Sequence, residues 1–525
     1  MSVAEREAID TATAPRPSAL ARFRPRGVGL RALIIGLVTA GISVWGSWIP
    51  SIWGDEATSI LSAERPLPSL FRMLGHVDAV HGTYYLLLHF WVDVFGPSAF
   101  SVRVPSAIAA GIAAAGVVVL ADRLAGARVG IYAGIVFAVL PRTTYMGQEA
   151  RGYALSCALA VWVTILLVRL LTRDTVRRRD WVLYAIGVAA CAYVFLFSLL
   201  LFIPHAILVV VYRRDLVKRW LTWFGIGLLI ALPILVYGIA ERSQVAFLAS
   251  RTAATFNSVS YGQWFGNPTF AAIAWTASAV AIITGIVIWR RNSSDSYLAA
   301  PPAPDPTRRV PSIVLVAALW MIVPMTIILS VNWVDAIYSS RYLTFAAPSA
   351  PLLIGWLIAR GRRIWVAVLA LAVVLITVAP SYFAQRTVYA ENNSDWSVDA
   401  AYIGAHAKPG DGILFDESAR PSQKPRLAMR AYPNDFVGLK DIALDQPWYD
   451  TDNWADSTYP LEQVTDRLNG VGTVWLIEHR AVGGKADTWD ISTLEQEGYT
   501  TVSEHKEYSS EILELTRPVR PPTSS

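Results

Sequence analysis

The stretch Trp53-Gly54-Asp55-Glu56-Ala57 places two adjacent carboxylates directly after the first membrane-length apolar run. Charged groups are costly at the edge of a bilayer, and they persist where they line a polar cavity or take part in chemistry. A solvated loop start is the simpler interpretation of such a pair. The residues that share its side of the membrane decide between the two.

The composition indicates a polytopic α-helical membrane protein. Of the 525 residues, 54% are hydrophobic and only 16% are charged, against roughly 25% charged residues in ordinary globular domains. The net charge of +5 does not indicate nucleic-acid binding, because the basic residues form short clusters between apolar runs. These basic residues are nearly all Arg, which together with abundant Ala, Val and Gly is typical of a GC-rich bacterial genome such as an actinobacterial one.

Apolar runs recur at about the 20 residues that a helix needs to cross the hydrocarbon core. They predict about eleven spans: 28–49, 101–121, 129–146, 153–171, 181–197, 199–212, 219–239, 269–290, 311–331, 342–359 and 363–383. Arg-rich short loops stay in the cytoplasm, so the Arg-rich connectors predict that the N-terminus is cytoplasmic too. Residues 1–27 are polar and contain Pro and Arg, which predicts disorder. The protein is then a multi-pass plasma-membrane protein with its C-terminus outside.

Three domains follow from this topology. Residues 28–383 form the transmembrane domain, and its first external loop covers 50–100. Within that loop, residues 83–95 are too short to span and carry His89 and Asp93, so we predict an amphipathic helix on the outer surface. Residues 384–525 lack a long apolar run and alternate short strand-like and helix-like stretches, which indicates a small extracytoplasmic α/β domain.

Several charged residues fall in external loops. Each has a simple explanation alone: Glu149 and Arg151 as a helix-start pair, Arg341 as a side chain reaching headgroups, His81 as an ordinary loop histidine. Together they predict one polar cavity at the outer boundary of the membrane. The set is Asp55, Glu56, Asp78, His81, Glu149, Arg151 and Arg341.

At these positions the chain resembles the membrane-embedded GT-C glycosyltransferases, specifically the protein mannosyltransferase-like branch (family 39). The resemblance rests on WGDEA (53–57), on HGTYYLLL (81–88) followed by FG (95–96) and RVPS (103–106), on YMGQEAR (145–151) and on SRYL (340–343) with Pro348. It extends over roughly residues 30–380. It departs from the family at 81–82, where His-Gly replaces the usual Pro-Pro, and it does not cover the C-terminal domain.

The resemblance implies a GT-C fold and an enzyme that moves a sugar from a polyprenyl-phosphate donor to an acceptor hydroxyl outside the cytoplasm. The acceptor hydroxyl must lose a proton, which requires a general base. We assign this role to Asp55, with Glu56 positioning the acceptor or supporting Asp55. Guanidinium groups bind a departing phosphate bidentately, so Arg341 is the first candidate, Arg151 the second, and His81 a weaker third contact.

Two further assignments stay open. Glu149 either holds Arg151 in place or joins Asp78 or His81 around a divalent cation such as Mg, Mn or Ca; because Arg alone can neutralise phosphate, no cofactor is required. A single displacement predicts inversion at the anomeric carbon.

Mannose is the first choice of sugar, and the acceptor is a cell-envelope glycan, glycolipid or protein. Arabinosyl transfer is the nearest rival. A lipid or polysaccharide transporter is less favoured, because transporters place charges near the midplane and contain repeats. A scaffold that only presents the C-terminal domain gives no reason for the charged set.

Overall fold

The computed structural model describes residues 26–173, 175–242, 253–290, 310–480 and 489–518. Nearly all of the N-terminal segment 1–27 lies outside these ranges. The α-helices are α1 (Arg26–Val44), α2 (Gly54–Glu64), α3 (Leu67–Leu74), α4 (Gly82–Phe95), α5 (Ala99–Ala125), α6 (Ala127–Val139), α7 (Pro141–Met146), α8 (Tyr153–Thr172), α9 (Arg178–Val194), α10 (Phe202–Tyr212), α11 (Val217–Ile230), α12 (Leu232–Ala240), α13 (Pro268–Arg290), α14 (Ile313–Asn332), α15 (Ser349–Ala359), α16 (Ile364–Ala384), α17 (Trp396–His406), α18 (Arg426–Ala431) and α19 (Trp489–Gln496).

The strands all follow the last long helix. They are β1 (Gly412–Phe415), β2 (Lys440–Asp441), β3 (Leu444–Gln446), β4 (Ser457–Thr458), β5 (Thr473–His479), β6 (Thr500–Lys506) and β7 (Ser510–Thr516). Five of them form a sheet in the order β2-β1-β5-β7-β6, parallel from β2 to β5 and antiparallel from β5 to β6. The remaining two form a small antiparallel pair.

Every predicted span is helical, but not all are long enough to cross a membrane unaided. Among the described residues, six helices meet the length and hydropathy needed, namely α1, α5, α8, α13, α14 and α16. Two bent pairs raise the number to eight: residues 214–230 with α12, bent by 60°, and the 3₁₀ turn Ser340–Ala346 with α15, bent by 50°. The three other predicted spans are the shorter segments α6, α9 and Leu196–Tyr212. The structure is thus a multi-pass bundle in which several spans are short or broken.

Small residues let the spans approach closely. A Cβ on Gly36 of α1 would lie 2.8 Å from the carbonyl oxygen of Gly111 in α5. Bilayers provide no hydrophobic driving force between helices, so such close backbone contact is what holds them together.

The segment between α1 and α5 contains three helices, α2, α3 and α4. Helix α4 is the predicted surface helix; it buries Tyr85, Leu88 and Val92 and exposes Phe90 and Val94 on the opposite side. Asp55 and Glu56 lie in the first turn of α2, where the helix dipole favours carboxylates.

The sheet domain packs directly on this loop. Side chains alternate between the faces of a strand, so Ile413 and Phe415 of β1 join the apolar cluster that includes Leu61 and Leu88, while Leu414 faces the other side of the sheet. A Cβ on Gly54 would overlap the carbonyl oxygen of Ser422, so glycine is required where the two domains meet. The C-terminal domain therefore fixes the helix that presents Asp55.

Candidate active site

Asp55 and Glu56 enter two different ion-pair centres. Successive helix residues point about 100° apart, and this rotation separates the two side chains. We call the group Asp55, Glu149 and Arg341 the Arg341 centre. We call Glu56 and Arg103, with the backbone around them, the Arg103 centre.

The Arg341 centre is partly open to solvent. Nη1 of Arg341 lies 2.8 Å from Oδ2 of Asp55 and 3.4 Å from Oε1 of Glu149. The side chains of Asp55 and Arg341 each remain about a quarter exposed, whereas Glu149 is buried. The guanidinium of Arg341 also lies over the ring of Trp53, 4.8 Å from its centroid, so an aromatic face and two carboxylates orient it.

The charge states of the two acids in this centre differ. Burial opposes ionisation of Asp55, but Arg341 and Arg151 outweigh it and lower its pKa. For Glu149, burial and the neighbouring Glu56 and Asp55 prevail over Arg341 and raise its pKa to about 7. Within the described part of the chain, Oε2 of Glu149 has no hydrogen-bond partner. Asp55 is thus ionised at neutral pH, whereas Glu149 gains or loses its proton close to neutral pH.

The Arg103 centre is closed. Nε of Arg103 donates to Oε1 of Glu56 at 2.8 Å, and the backbone N–H of Ala150 donates to the same oxygen at 2.8 Å. Further donations from Arg103 reach the carbonyl oxygens of Ser47 and Pro50. Glu56 is fully buried, so contact with an acceptor, the first of its two predicted roles, does not fit the structure. The second role fits: Glu56 fastens the helix that carries Asp55.

A second polar group lies on the other side of Asp55. Nη1 of Arg151 donates to the backbone oxygen of Asp55 at 3.3 Å and to the Tyr85 hydroxyl at 3.3 Å, and Nη2 lies 3.1 Å from Nε2 of His81. The Tyr85 hydroxyl in turn donates to Asp78 at 3.0 Å. The structure therefore brings all the predicted residues except Glu56 around Asp55.

His81 is a neutral acceptor in this arrangement. Burial and the charge of Arg151 lower its pKa well below the usual value. Guanidinium groups only donate, so Nε2 of His81 accepts from Arg151. A neutral imidazole attracts a phosphate less than a cation would, and we expect Arg151 rather than His81 to supply charge here.

The predicted cation site does not fit these contacts. Among the described residues, no three His, Cys, Asp or Glu side chains are grouped as metal ligands. Asp78 is bonded to Tyr85, His81 faces Arg151, and Glu149 holds Arg341. Glu149 also does not hold Arg151 through its side chain, as one prediction had it. No catalytic step is assigned to a metal.

A cavity of about 400 Å³ opens beside Arg341. Aromatic, amide and guanidinium groups line it, a combination that can both stack on and hydrogen-bond a sugar. Its lining includes Trp53, Arg142, Tyr145, Trp264, Arg341, Gln385 and Asn392. A space large enough for a ligand therefore lies directly against Arg341, the partner of Asp55.

Sequence reasoning missed several residues that build this region. Arg103 lies within a stretch that resembles the family, but an arginine one turn into a span does not reveal its partner. Glu391 follows the last span in a polar segment with no motif, and yet it is fully buried beside Tyr145. Nothing short of the fold shows that these two reach the site.

Comparisons with known proteins agree with this architecture. The sequence model of the family described as dolichyl-phosphate-mannose-protein mannosyltransferase matches residues 83–239. No curated protein matches the chain by sequence.

Among solved structures, ArnT from Cupriavidus metallidurans bound to undecaprenyl phosphate is similar at 12% identity and a TM-score of 0.54, over 92% of this chain and 97% of that one. Its apo form is similar at 11% identity and a TM-score of 0.55, with the same coverage. The arabinofuranosyltransferase AftD from Mycobacteria has 15% identity over 92% of this chain and 40% of that one, with a TM-score of 0.46. The chain is therefore similar to the mannosyltransferase family over residues 83–239, and it shares the fold of ArnT over 92% of its length.

Proposed function

We propose that the protein transfers a sugar, mannose as the first choice, from a polyprenyl-phosphate donor to an acceptor hydroxyl. The observation that carries this proposal is the partly exposed Asp55–Arg341 pair, 2.8 Å apart, whose Arg341 lines a cavity of about 400 Å³. The transfer needs a general base close to a cationic group that binds the phosphate. The undecaprenyl phosphate in the similar ArnT structure supports a polyprenyl-phosphate donor.

The residues support a single displacement. The acceptor hydroxyl gives its proton to the Asp55 carboxylate as its oxygen forms a bond to the anomeric carbon. The bond from that carbon to the phosphate oxygen breaks, and the negative charge that develops on polyprenyl phosphate is stabilised by Arg341 and Arg151. Attack opposite the leaving phosphate inverts the anomeric configuration.

Before the donor binds, the ion pair with Arg341 makes Asp55 a weaker base. Arg341 now lowers the pKa of Asp55. When the donor phosphate forms an ion pair with Arg341 in place of Asp55, the pKa of Asp55 rises and it becomes a stronger base. Donor binding and base activation are thereby coupled through one guanidinium.

The proposed orientation places the site and the C-terminal domain outside the cytoplasm and the N-terminus inside. The Arg-rich connectors support it through the positive-inside rule. An envelope glycan, glycolipid or protein is then the accessible acceptor.

One experiment tests the reaction and the sugar together. Purified protein in lipid nanodiscs is incubated separately with polyprenyl-phosphate mannose and polyprenyl-phosphate arabinose, with an envelope glycan and lipid extract as the acceptor. We expect polyprenyl phosphate to be released from the mannose donor and the product to have the inverted anomer. Release from the arabinose donor alone would replace mannose by its rival, and release from neither by folded protein would contradict the proposal.

A further inference from the structure

Glu391 is a buried carboxylate that the reaction above does not use. It follows α16 in the segment that leads to the sheet domain, and none of its surface is exposed. The next two residues, Asn392 and Asn393, have φ values of 52° and 62°. Asparagine tolerates this left-handed region better than most residues, so the chain turns here and directs Glu391 inward.

The Glu391 carboxylate contacts the end of α7 and the loop that follows it. The Tyr145 hydroxyl donates to Oε2 of Glu391 at 2.8 Å, and Nε2 of Gln148 lies 3.3 Å from Oε1. The same Gln148 nitrogen donates to the backbone oxygen of Gln385 at 2.7 Å. Gln385 and Glu391, both after α16, therefore contact Gln148. Gln148 directly precedes Glu149, which pairs with Arg341.

The charges that face Glu391 come from three elements. Glu56 in α2 and Glu149 in the loop are acids, and Arg103 in α5 is the opposing cation. Burial, followed by the two acids, raises the pKa of Glu391 to about 8. At neutral pH this group carries a proton and adds little negative charge beside Glu149, so it can grip the loop without displacing Glu149 from Arg341.

We propose that Glu391 is a positioning residue through which the C-terminal segment sets the orientation of Glu149 and Arg341. The inference rests on the proposed function, because it concerns the same site. The C-terminal part of the chain would then contribute to catalysis. It packs against α2 at Gly54 and contacts the loop before Glu149 through Glu391.

The test compares Glu391→Ala and Glu391→Gln with Asp399→Ala. Asp399 is a matched control, since it is a buried carboxylate of the same domain, accepts from Ser510 at 2.6 Å and lies outside the site. Each variant is reconstituted in nanodiscs, its melting temperature is recorded, and kcat and KM for the active donor are measured.

We expect Glu391→Ala to lower kcat by about 10- to 100-fold with KM within threefold, because a displacement of about 1 Å in a positioned group is that costly. Glu391→Gln keeps an oxygen for the Tyr145 hydroxyl and should restore most of kcat. Tyr145→Phe should lower kcat as well, and combining it with Glu391→Ala should add little, because contacting residues that act together are not additive.

Two results would overturn the inference: a Glu391→Ala enzyme whose kcat matches that of Asp399→Ala at equal melting temperature, or a Glu391→Gln enzyme as impaired as Glu391→Ala. Failure of the proposed function would look different, because then the wild type itself would release no polyprenyl phosphate.

Discussion

The Arg341 centre and the Arg103 centre contain the adjacent residues Asp55 and Glu56, but the two centres have different roles. Arg341 shares one guanidinium nitrogen between two carboxylates, remains about a quarter exposed and faces a cavity. Arg103 is buried, and its donors are used by Glu56 and by backbone oxygens. A pair of charges with incomplete hydrogen bonds can still bind a ligand, whereas a pair with complete hydrogen bonds acts as a structural joint.

The largest expected effect comes from removing the base in the Arg341 centre. Asp55→Asn keeps the size of the side chain but cannot accept the acceptor proton, so we expect kcat to fall by about 10³- to 10⁴-fold, the upper part of the range for general-base catalysis. Release of polyprenyl phosphate measures it. Asp93→Asn is the control, because Asp93 is an exposed carboxylate of the same loop. Equal activity of the two variants would remove Asp55 from the mechanism.

Glu56→Ala should instead damage stability. Arg103 would be left buried without its counter-charge, which costs about 3–5 kcal/mol when one partner of a buried pair is removed. We expect a lower melting temperature and poor recovery from membranes. Glu56→Gln can still accept from Arg103 and should be milder. If Glu56→Ala were fully stable but inactive, the Arg103 centre would belong to the reaction after all.

Arg341→Lys retains the charge and loses the planar fork. Lys binds phosphate as a point charge, so we expect about a 10²-fold loss of kcat, smaller than the loss for Asp55→Asn. Arg72→Lys controls for general effects, since Arg72 is a half-exposed arginine of α3. A loss confined to the affinity for polyprenyl phosphate, with kcat intact, would show that Arg341 binds the ground state only.

The smallest expected effect is a pH dependence of stability. The pKa of Glu149 is raised from 4.5 to about 7, so the folded state binds more protons than the unfolded state between these values. Stability from this group is present at low pH and decreases as pH rises through that window. The melting temperature of the wild type, measured relative to Glu149→Gln, should therefore fall from pH 5 to pH 7. A difference that stays constant would mean that Glu149 is ionised throughout.

The sequence was informative where a property depends on local pattern. Apolar runs located all the predicted spans as helices, and the predicted helix over 83–95 is present as α4. The motif residues Asp55, Glu149, Arg151 and Arg341 indeed meet. It left roles open or gave no signal where pairing is decided by rotation and by distant segments: Glu56 pairs with Arg103 in the closed centre, Glu149 contacts Arg341 rather than Arg151, and Glu391 gave no signal.

A membrane bundle, a carboxylate pair after the first span and the set of residues around it can thus be inferred from the sequence alone, because hydrophobic length and charge type are properties of short stretches. Which carboxylate of the pair is available to a ligand could be learned only from the folded arrangement. The reason is that availability depends on how many donors reach each oxygen, and those donors come from α5, from the loop before α8 and from the turn at Arg341, far apart in the chain.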